Sequence, residues 1–595
     1  MNKARYTIKA RLSPVYEQLS GEAQIVYTNE SPDTLNMLVF HVRQNLNAEG
    51  NIRNRFVPIT GGMKIHRVRV NGEPYLAASL QLAGEYAIEG TLMYVSLYEP
   101  LAPGETAQVE ISWSFKVPGR GNPRMGHDEE VFFLGYWYPQ LAVYDDLEGW
   151  KAEPYMANGE FYMDYADYEV ALTVPAGWLV AATGELTNAE EILSETMRER
   201  LEQARNVDTV VTIVTSEERA SWQKAIPKKY VTWHFEAKQV RDFAWATSNR
   251  YIWDATRAKV TDGSQEKYVA IHSFYRPEEA RDRTTSSEEN QVWKNAASYA
   301  KFAIEHLSST FFPYPWPHMT VVEGVVRGGM EYPMITVIGG PRNAYSLFRV
   351  IYHEIGHMWF PMIVGQDEKS YAWMDEGLTT YNTNEGTAAY FTWSEPWSPE
   401  HQSYYLIAGT GREVEIMRHA DLYPPLSIAR GIASYNKPAL VLRALEHLVG
   451  SERFWKAYRT YARRWAFKHP TPYDFFNTFE EVLGEDLDWF WTSWFYETWV
   501  LDHAIERVTE DATGIKVVIR DNGNVPMPVR VTAWYKDGRE LTETVPVHHW
   551  LKGARQAEVR FPAGEVEQIV IDPAYHFPDI RWENNRWMSV ERSSK

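Results

Sequence analysis

Apolar and polar positions alternate with period two through roughly the first 235 residues, as in YTIKARL (Tyr6, Ile8, Ala10, Leu12), VEISWSFKV (Val109, Ile111, Trp113, Phe115, Val117) and YEVALTVP (Val170, Leu172, Val174). Successive side chains on a strand point to opposite faces, so this pattern predicts half-buried strands, and turn signals such as PGE and PGRGNP between them predict a large antiparallel sheet. One interruption, NAEEILSETMRERLEQARN at 188–206, places Ile192, Leu193, Met197 and Leu201 on one helical face with charge elsewhere. It predicts a surface helix inserted into the sheet domain.

Near residue 238 the period changes to 3.6. AKQVRDFAWATSNRYIWDATRAKV opens the helical texture, a short strand YVAIHSFY follows, and NQVWKNAASYAKFAIEHLSSTFF reads as a long helix. Helical segments continue to about residue 500, among them KPALVLRALEHLVG and PYDFFNTFEEVLG, and from about residue 505 alternation returns with Asn-Gly and Asp-Gly turns. The expected organisation is multidomain: an N-terminal antiparallel β-sheet domain over 1–237, an α+β domain with a helical bundle over 238–503, and a C-terminal β-sandwich over 504–595.

Composition narrows the function. A formal charge of −19 with no dense Lys/Arg run excludes a phosphate-binding surface, so no nucleic acid partner is expected, while a cationic ligand such as a free amino terminus suits the chain. The absence of cysteine excludes disulfides, thiolate nucleophiles and cysteine metal sites together, leaving His, Asp and Glu to hold any metal. No apolar run approaches the roughly 20 residues of a membrane-crossing helix, and the opening MNKARYTIKA lacks the hydrophobic stretch of a leader. The expectation is a soluble chain with no membrane span, cytoplasmic as it stands, with secretion compatible if a leader has been trimmed. Oligomeric state is not legible.

The candidate chemistry centres on VIYHEIGHMWF, residues 350–360. Positions i and i+4 share one helix face, so His353 and His357 can present two imidazoles to one cation, and Glu354, about 100° round the helix, can reach a water on it. An unremarkable helix stays open on these residues alone. Eighteen residues after His357, Glu376 lies in WMDEGLTTY at the start of another predicted helix. Its carboxylate could supply a third ligand and balance charge on zinc, leaving a position for water; an exposed acid in a first helical turn is the alternative. Upstream, VVRGGMEYPMITVIGG reads as an exposed strand able to pair with an extended peptide. Gly328 and Gly329 permit close backbone approach there, and Glu331 is either a functional acid or a solvated edge residue. Downstream, Tyr435 precedes the helix beginning at Lys437 and Pro438, where a phenol either packs or donates to an oxyanion.

Taken in order, GGMEYP, HEIGH, the Glu of WMDEG and the Tyr of SYNKP resemble the zinc aminopeptidases of the aminopeptidase N and leukotriene hydrolase family, which are gluzincin metallopeptidases. NESPDTLNMLVFHVRQNLN, YEVALTVPAGWLVAATGEL and VRDFAWATS extend the likeness over nearly the whole chain. The resemblance implies a saddle-like N-terminal sheet and a thermolysin-like catalytic domain binding one Zn2+ per chain through His353, His357 and Glu376. It implies that Glu354 activates the water, that Tyr435 stabilises the oxyanion, and that Glu331 holds the α-amine of a peptide aligned by Gly328, Gly329 and Met330. Peptides with a free N-terminus would be the substrates. Three positions depart from the pattern: Tyr332 stands where relatives have Asn, Asp375 where Asn is common, and Pro438 where a small residue is usual. A further polar anchor comes from the first domain in relatives, and here Gln140, Glu129 and Glu130 are the candidates. A zinc endopeptidase, another amide or epoxide hydrolase on the same metal, and a catalytically silent scaffold are the alternatives; the intact His353, Glu354, His357 and Glu376 argue against the scaffold.

Overall fold

In the computed structural model, residues 2–225, 229–276, 292–340 and 343–589 are described. The chain divides into two compact units, Met1–Lys369 with Ala462–Pro470, and Ser370–Tyr461 with Thr471–Lys595.

The first unit begins with the predicted sheet, which has twelve strands. Strand β1 (Lys3–Ser13) runs antiparallel to β2 (Gln18–Thr28), and β2 antiparallel to β3 (Thr106–Lys116). The alternating residues are the buried ones: Tyr6, Ile8, Ala10 and Leu12 on β1, Val109, Ile111, Trp113 and Phe115 on β3. β4 (Ala166–Pro175) pairs with β1 in parallel, Ala4 opposite Ala166, a long-range pairing that no local signal announces. The helical insertion is present as Ala189–Ile192 and α1 (Glu195–Asn206). The Ser194 hydroxyl accepts from the Met197 amide at 3.3 Å and caps α1, which buries Met197 and Ala204.

The helical texture expected from residue 238 is absent. β5 (Tyr230–Val240) completes a pair with β4, and β6 (Ile252–Asp262) pairs along its full length with β7 (Gln265–Tyr275), from Ile252 opposite Tyr275 to Asp262 opposite Gln265. Phe243 and Ala244 lie in the turn between strands, so their spacing relative to Tyr251 and Trp253 mimicked a helical period that a continuous eleven-residue ladder overrides. α2 (Ala296–Thr310) is the predicted long helix; Asn290 and Gln291, at the front of that prediction, lie outside the described residues. A six-stranded sheet follows the order Val211–Val214, β6, β7, β8 (His318–Gly324), β10 (Ile335–Gly339) and, at its edge, β9 (Gly329–Tyr332). α3 (Ala344–Gly356) is capped by Asn343, whose side chain accepts from the Ser346 amide at 2.8 Å. Phe348 of α3 meets Tyr299 of α2 edge-on at 5.4 Å, and Tyr352 bonds His306 at 2.7 Å, fixing the helix that carries the histidine pair.

The second unit holds α4 (Trp373–Tyr390), α5 (Lys437–Val449), further helices including Pro472–Leu483, and two C-terminal sheets of three and four strands. Ile519, Val531, Ala533 and Ile569 sit in the core of those sheets. Among the described residues, no helix is long and apolar enough to cross a membrane.

Candidate active site

The histidine pair is built by helix geometry. His353 and His357 follow one another on α3 and its C-terminal cap, and their rings stand edge-on with centroids 4.6 Å apart. Past His357 the chain leaves helical geometry at Phe360, and His357 Nδ1 donates to the Phe360 carbonyl at 3.0 Å. That bond fixes the tautomer and leaves the Nε2 lone pair of the neutral ring for a metal, the usual arrangement of a histidine ligand. The donor set therefore suits zinc.

Glu354 is buried on the same helix, against β9: a Cβ at Gly329 would come within 2.6 Å of Glu354 Cγ. β9 lies at the sheet edge, as a peptide-pairing strand should, but it is not exposed; Met330, Glu331 and Tyr332 are all buried. Its antiparallel partner β10 and the aromatic residues beneath it cover it. Tyr332 enters a cage of Phe133, Tyr136 and Phe161 with its hydroxyl against Gly135, where a side chain would collide, so this departure from the family pattern is a packing residue of the first unit.

The Glu331 carboxylate lies within 4.8 Å of a His357 ring nitrogen, and within the same distance of carboxylate oxygens of Glu160 and Glu368. Two guanidiniums accompany the three acids. Arg124 donates to Glu160 and to the Met330 sulfur. Arg241, with no exposed surface, donates to Glu368 at 3.1 Å and to the carbonyls of Met163, Pro361 and Gln366. Burial pushes the Glu368 carboxyl up, the Glu331 and Glu160 charges act the same way, and Arg241 opposes them. Within the first unit, Glu331, Glu160 and Glu368 thus lie together with the Arg124 and Arg241 guanidiniums.

The domain-one candidates for a further anchor are engaged elsewhere. Gln140 accepts from Arg43 at 2.7 Å and donates to the Arg241 carbonyl, Glu130 pairs with Arg250 at 2.9 Å, and Glu129 is exposed at positive φ. Glu160, also from the first unit, lies instead beside Glu331. It lies in an irregular segment between Ala157 and Asp164, where no periodicity or motif marks it, so sequence reasoning had no signal for it.

In the second unit Glu376 is buried in the first turn of α4 and accepts a hydrogen bond from the Tyr435 hydroxyl. Tyr435 stands just before α5, as expected, in a π-helical turn, Ile432–Asn436, continuous with that helix. Such widened turns tilt side chains out of the regular ladder and recur at functional sites. A Cβ at Gly377 would stand 2.6 Å from Pro438 Cγ, so glycine lets α4 and α5 approach closely enough for the Tyr435–Glu376 bond, and Pro438 fills the space. Lys437 anchors the turn from below with a 2.6 Å bond to Glu413, both nearly fully buried; burial pulls the lysine down and Glu413 opposes the shift. Asp375 is completely buried one residue before Glu376.

Residues 296–494 match the Peptidase family M1 domain. Aminopeptidase M1-D of Oryza sativa subsp. japonica is 28% identical over 236 residues, 34% of this chain and 26% of its own length. Leucyl aminopeptidase of Saccharolobus solfataricus is 24% identical over 257 residues, 38% and 32% of the two chains. The chain thus spans about a quarter to a third of these curated relatives. Among solved structures, Legionella pneumophila aminopeptidase A in complex with aspartic acid superposes with a TM-score of 0.62 at 14% identity, covering 97% of this chain and 59% of that one. The M1 zinc metallopeptidase of Deinococcus radiodurans superposes with a TM-score of 0.54 at 16% identity, covering 84% and 94%. At these identities the structural likeness is one of fold: N-terminal antiparallel sheet, helical middle region and C-terminal sheets.

Proposed function

We propose that this chain, which carries a peptidase family M1 domain at residues 296–494, is a zinc-dependent aminopeptidase that hydrolyses the N-terminal peptide bond of peptides. The observation that carries the reading is that Glu331, whose carboxylate lies within 4.8 Å of a His357 ring nitrogen, is also within 4.8 Å of the Glu160 and Glu368 carboxylates. An ammonium donating two tetrahedral N–H bonds of about 2.9 Å spans oxygens about 4.7 Å apart. Glu331 and Glu160 have carboxylate oxygens no more than 4.8 Å apart, which is compatible with that span. A substrate amine held there puts its first peptide bond next to the histidine pair, and an internal bond offers no cation to the same acids.

His353, His357 and Glu376 would hold one Zn2+. When bound, zinc polarises the scissile carbonyl and lowers the pKa of a coordinated water. Glu354 takes the proton from the attacking water and returns it to the leaving amine. Tyr435 turns its hydroxyl from Glu376 toward the developing oxyanion and donates to it. Gly328 and Gly329, without side chains, let the substrate backbone approach β9, and Met330, held by Arg124, keeps the strand in place.

The test is hydrolysis of leucine p-nitroanilide beside its N-acetylated twin, with zinc-loaded protein and Glu354→Gln as control. Cleavage of the free amine alone, lost in the control with zinc retained, is the expected result. Comparable cleavage of both substrates would make the site endopeptidase-like, and a zinc-loaded Glu354→Gln protein with near-normal turnover would remove Glu354 from its role.

A further inference from the structure

The helical insertion at 189–206 has no part in the chemistry above, yet it roofs a cavity of about 590 Å³. Cavities of about 300–1,000 Å³ are the size of small-molecule sites. Leu201 and Ala204 of α1 form one wall; β5, β6, β7 and the start of β8 form the others. No lining residue belongs to the acid cluster or the histidine pair, and β9 occupies the far edge of the six-stranded sheet from β6.

The walls are aromatic. Trp253 and Phe274 stack at 4.9 Å, and Trp233 and Phe235 lie parallel at 6.5 Å. One polar group is aimed by its neighbours: Trp253 donates its indole N–H to His272 Nδ1 at 3.3 Å, so the neutral ring carries its proton on Nε2. Burial holds His272 down at about 3, with the His318 and Arg205 charges acting the same way, so this donor is neutral across the physiological range. Two further wall groups, Trp233 Nε1 and Thr256 Oγ1, are buried with no hydrogen-bond partner among the described residues. Such groups cost stability unless something meets them.

Charge completes the description. Arg205, Arg257 and Lys267 line the cavity against one acid among the described residues, Glu185. Arg257 is neutralised by Asp208 at 2.9 Å and lies over the Tyr268 ring at 4.1 Å. Lys267 spends two protons on the Tyr314 and Pro315 carbonyls, which carry no charge, and burial pulls its pKa down. Among the described residues, Arg205 pairs with an exposed Glu202 at 3.6 Å. In a chain of net charge −19, a cationic apolar cavity is a local exception.

We propose that this cavity is a second ligand site, separate from the peptidase centre, that binds a monocarboxylate with an apolar body. The body lies between the Trp233–Phe235 and Trp253–Phe274 walls, and the carboxylate accepts from His272 Nε2 and faces Lys267 and Arg205. The α1 roof is what encloses it, which gives the insertion a purpose.

The test is isothermal titration of the full-length protein with octanoate, octan-1-ol and octylamine as probes. Octanoate is expected to bind saturably, one per chain, at least about tenfold more tightly than octan-1-ol, with octylamine not binding. Ala204→Phe, which fills the roof, should abolish octanoate binding. Arg205→Glu alters a side chain that is 70% exposed and should leave the fold intact; it should weaken octanoate at least about fivefold and leave octan-1-ol unchanged. Octanoate binding that ignores Arg205→Glu would mean capture elsewhere, such as by zinc, and would overturn the proposal even if Ala204→Phe fails to fold. Equal affinity for octanoate and octan-1-ol, or no saturable binding, would overturn it as well.

Discussion

Glu160 offers the sharpest test of the amine pocket, because only the fold nominates it. Glu160→Gln keeps the shape and one acceptor oxygen, and removes one negative charge from the pocket. A hydrogen bond to a charged partner is worth about 1.5–3 kcal/mol, and a neutral one about half that or less. With Glu331 still in place, the loss is about 0.8–1.5 kcal/mol, which is roughly 4- to 12-fold in kcat/KM. The assay is kcat/KM on leucine p-nitroanilide, with zinc content and thermal midpoint measured in parallel. Both partners of the Arg124–Glu160 pair are under a tenth exposed, so a fall in midpoint is expected too, from an arginine that has lost its counter-charge. The zinc content separates this from collapse of the site. A variant with normal zinc content and kcat/KM within about twofold of the parent would refute amine recognition by Glu160. An equal loss on any residual cleavage of the N-acetylated substrate would refute it too, since that substrate brings no cation.

Tyr435→Phe is expected to lower kcat about 100- to 1,000-fold with little change in KM, as for loss of one oxyanion donor; a change confined to KM would contradict the role. Arg241→Met strands the Glu368 carboxylate and three buried carbonyls and should cost about 3–5 kcal/mol in urea unfolding, part of which Arg241→Met with Glu368→Gln recovers. His318 is buried and its pKa is held down to about 4 by desolvation, against about 6.5 in the unfolded chain. Above pH 6.5 both states are neutral and nothing is lost; as pH falls toward 4 only the unfolded state takes up the proton, so up to about 3 kcal/mol of stability disappears across that window. His318→Gln, which can still donate to the Gly184 carbonyl, should flatten that limb in a pH series of unfolding curves, and an unchanged slope would refute the assignment.

The sequence by itself determined what depends on neighbours within a few turns of chain. His353, Glu354 and His357 share a helix because apolar positions at helical spacing demand one, and the i, i+4 interval then puts both rings on one face. The strands of the first sheet and the inserted helix at 188–206 were legible for the same reason: their periodicity is written in consecutive residues. Where one turn with aromatic residues imitated a helical period, around Phe243 and Tyr251, local reading failed and the β6–β7 ladder decided.

Tertiary structure decided the rest. Arg124 and Met330 are 206 positions apart, and Arg241 and Glu368 are 127 apart. None of these side chains sits in a pattern that foretells its partner. A buried charge is costly until another chain segment supplies its counter-charge, and that segment is chosen by packing of whole elements, not by spacing along the chain. The residues that would hold a metal could therefore be read from their intervals. The acids that would grip an amine, and the cavity under α1, became visible only when distant strands and loops were brought together.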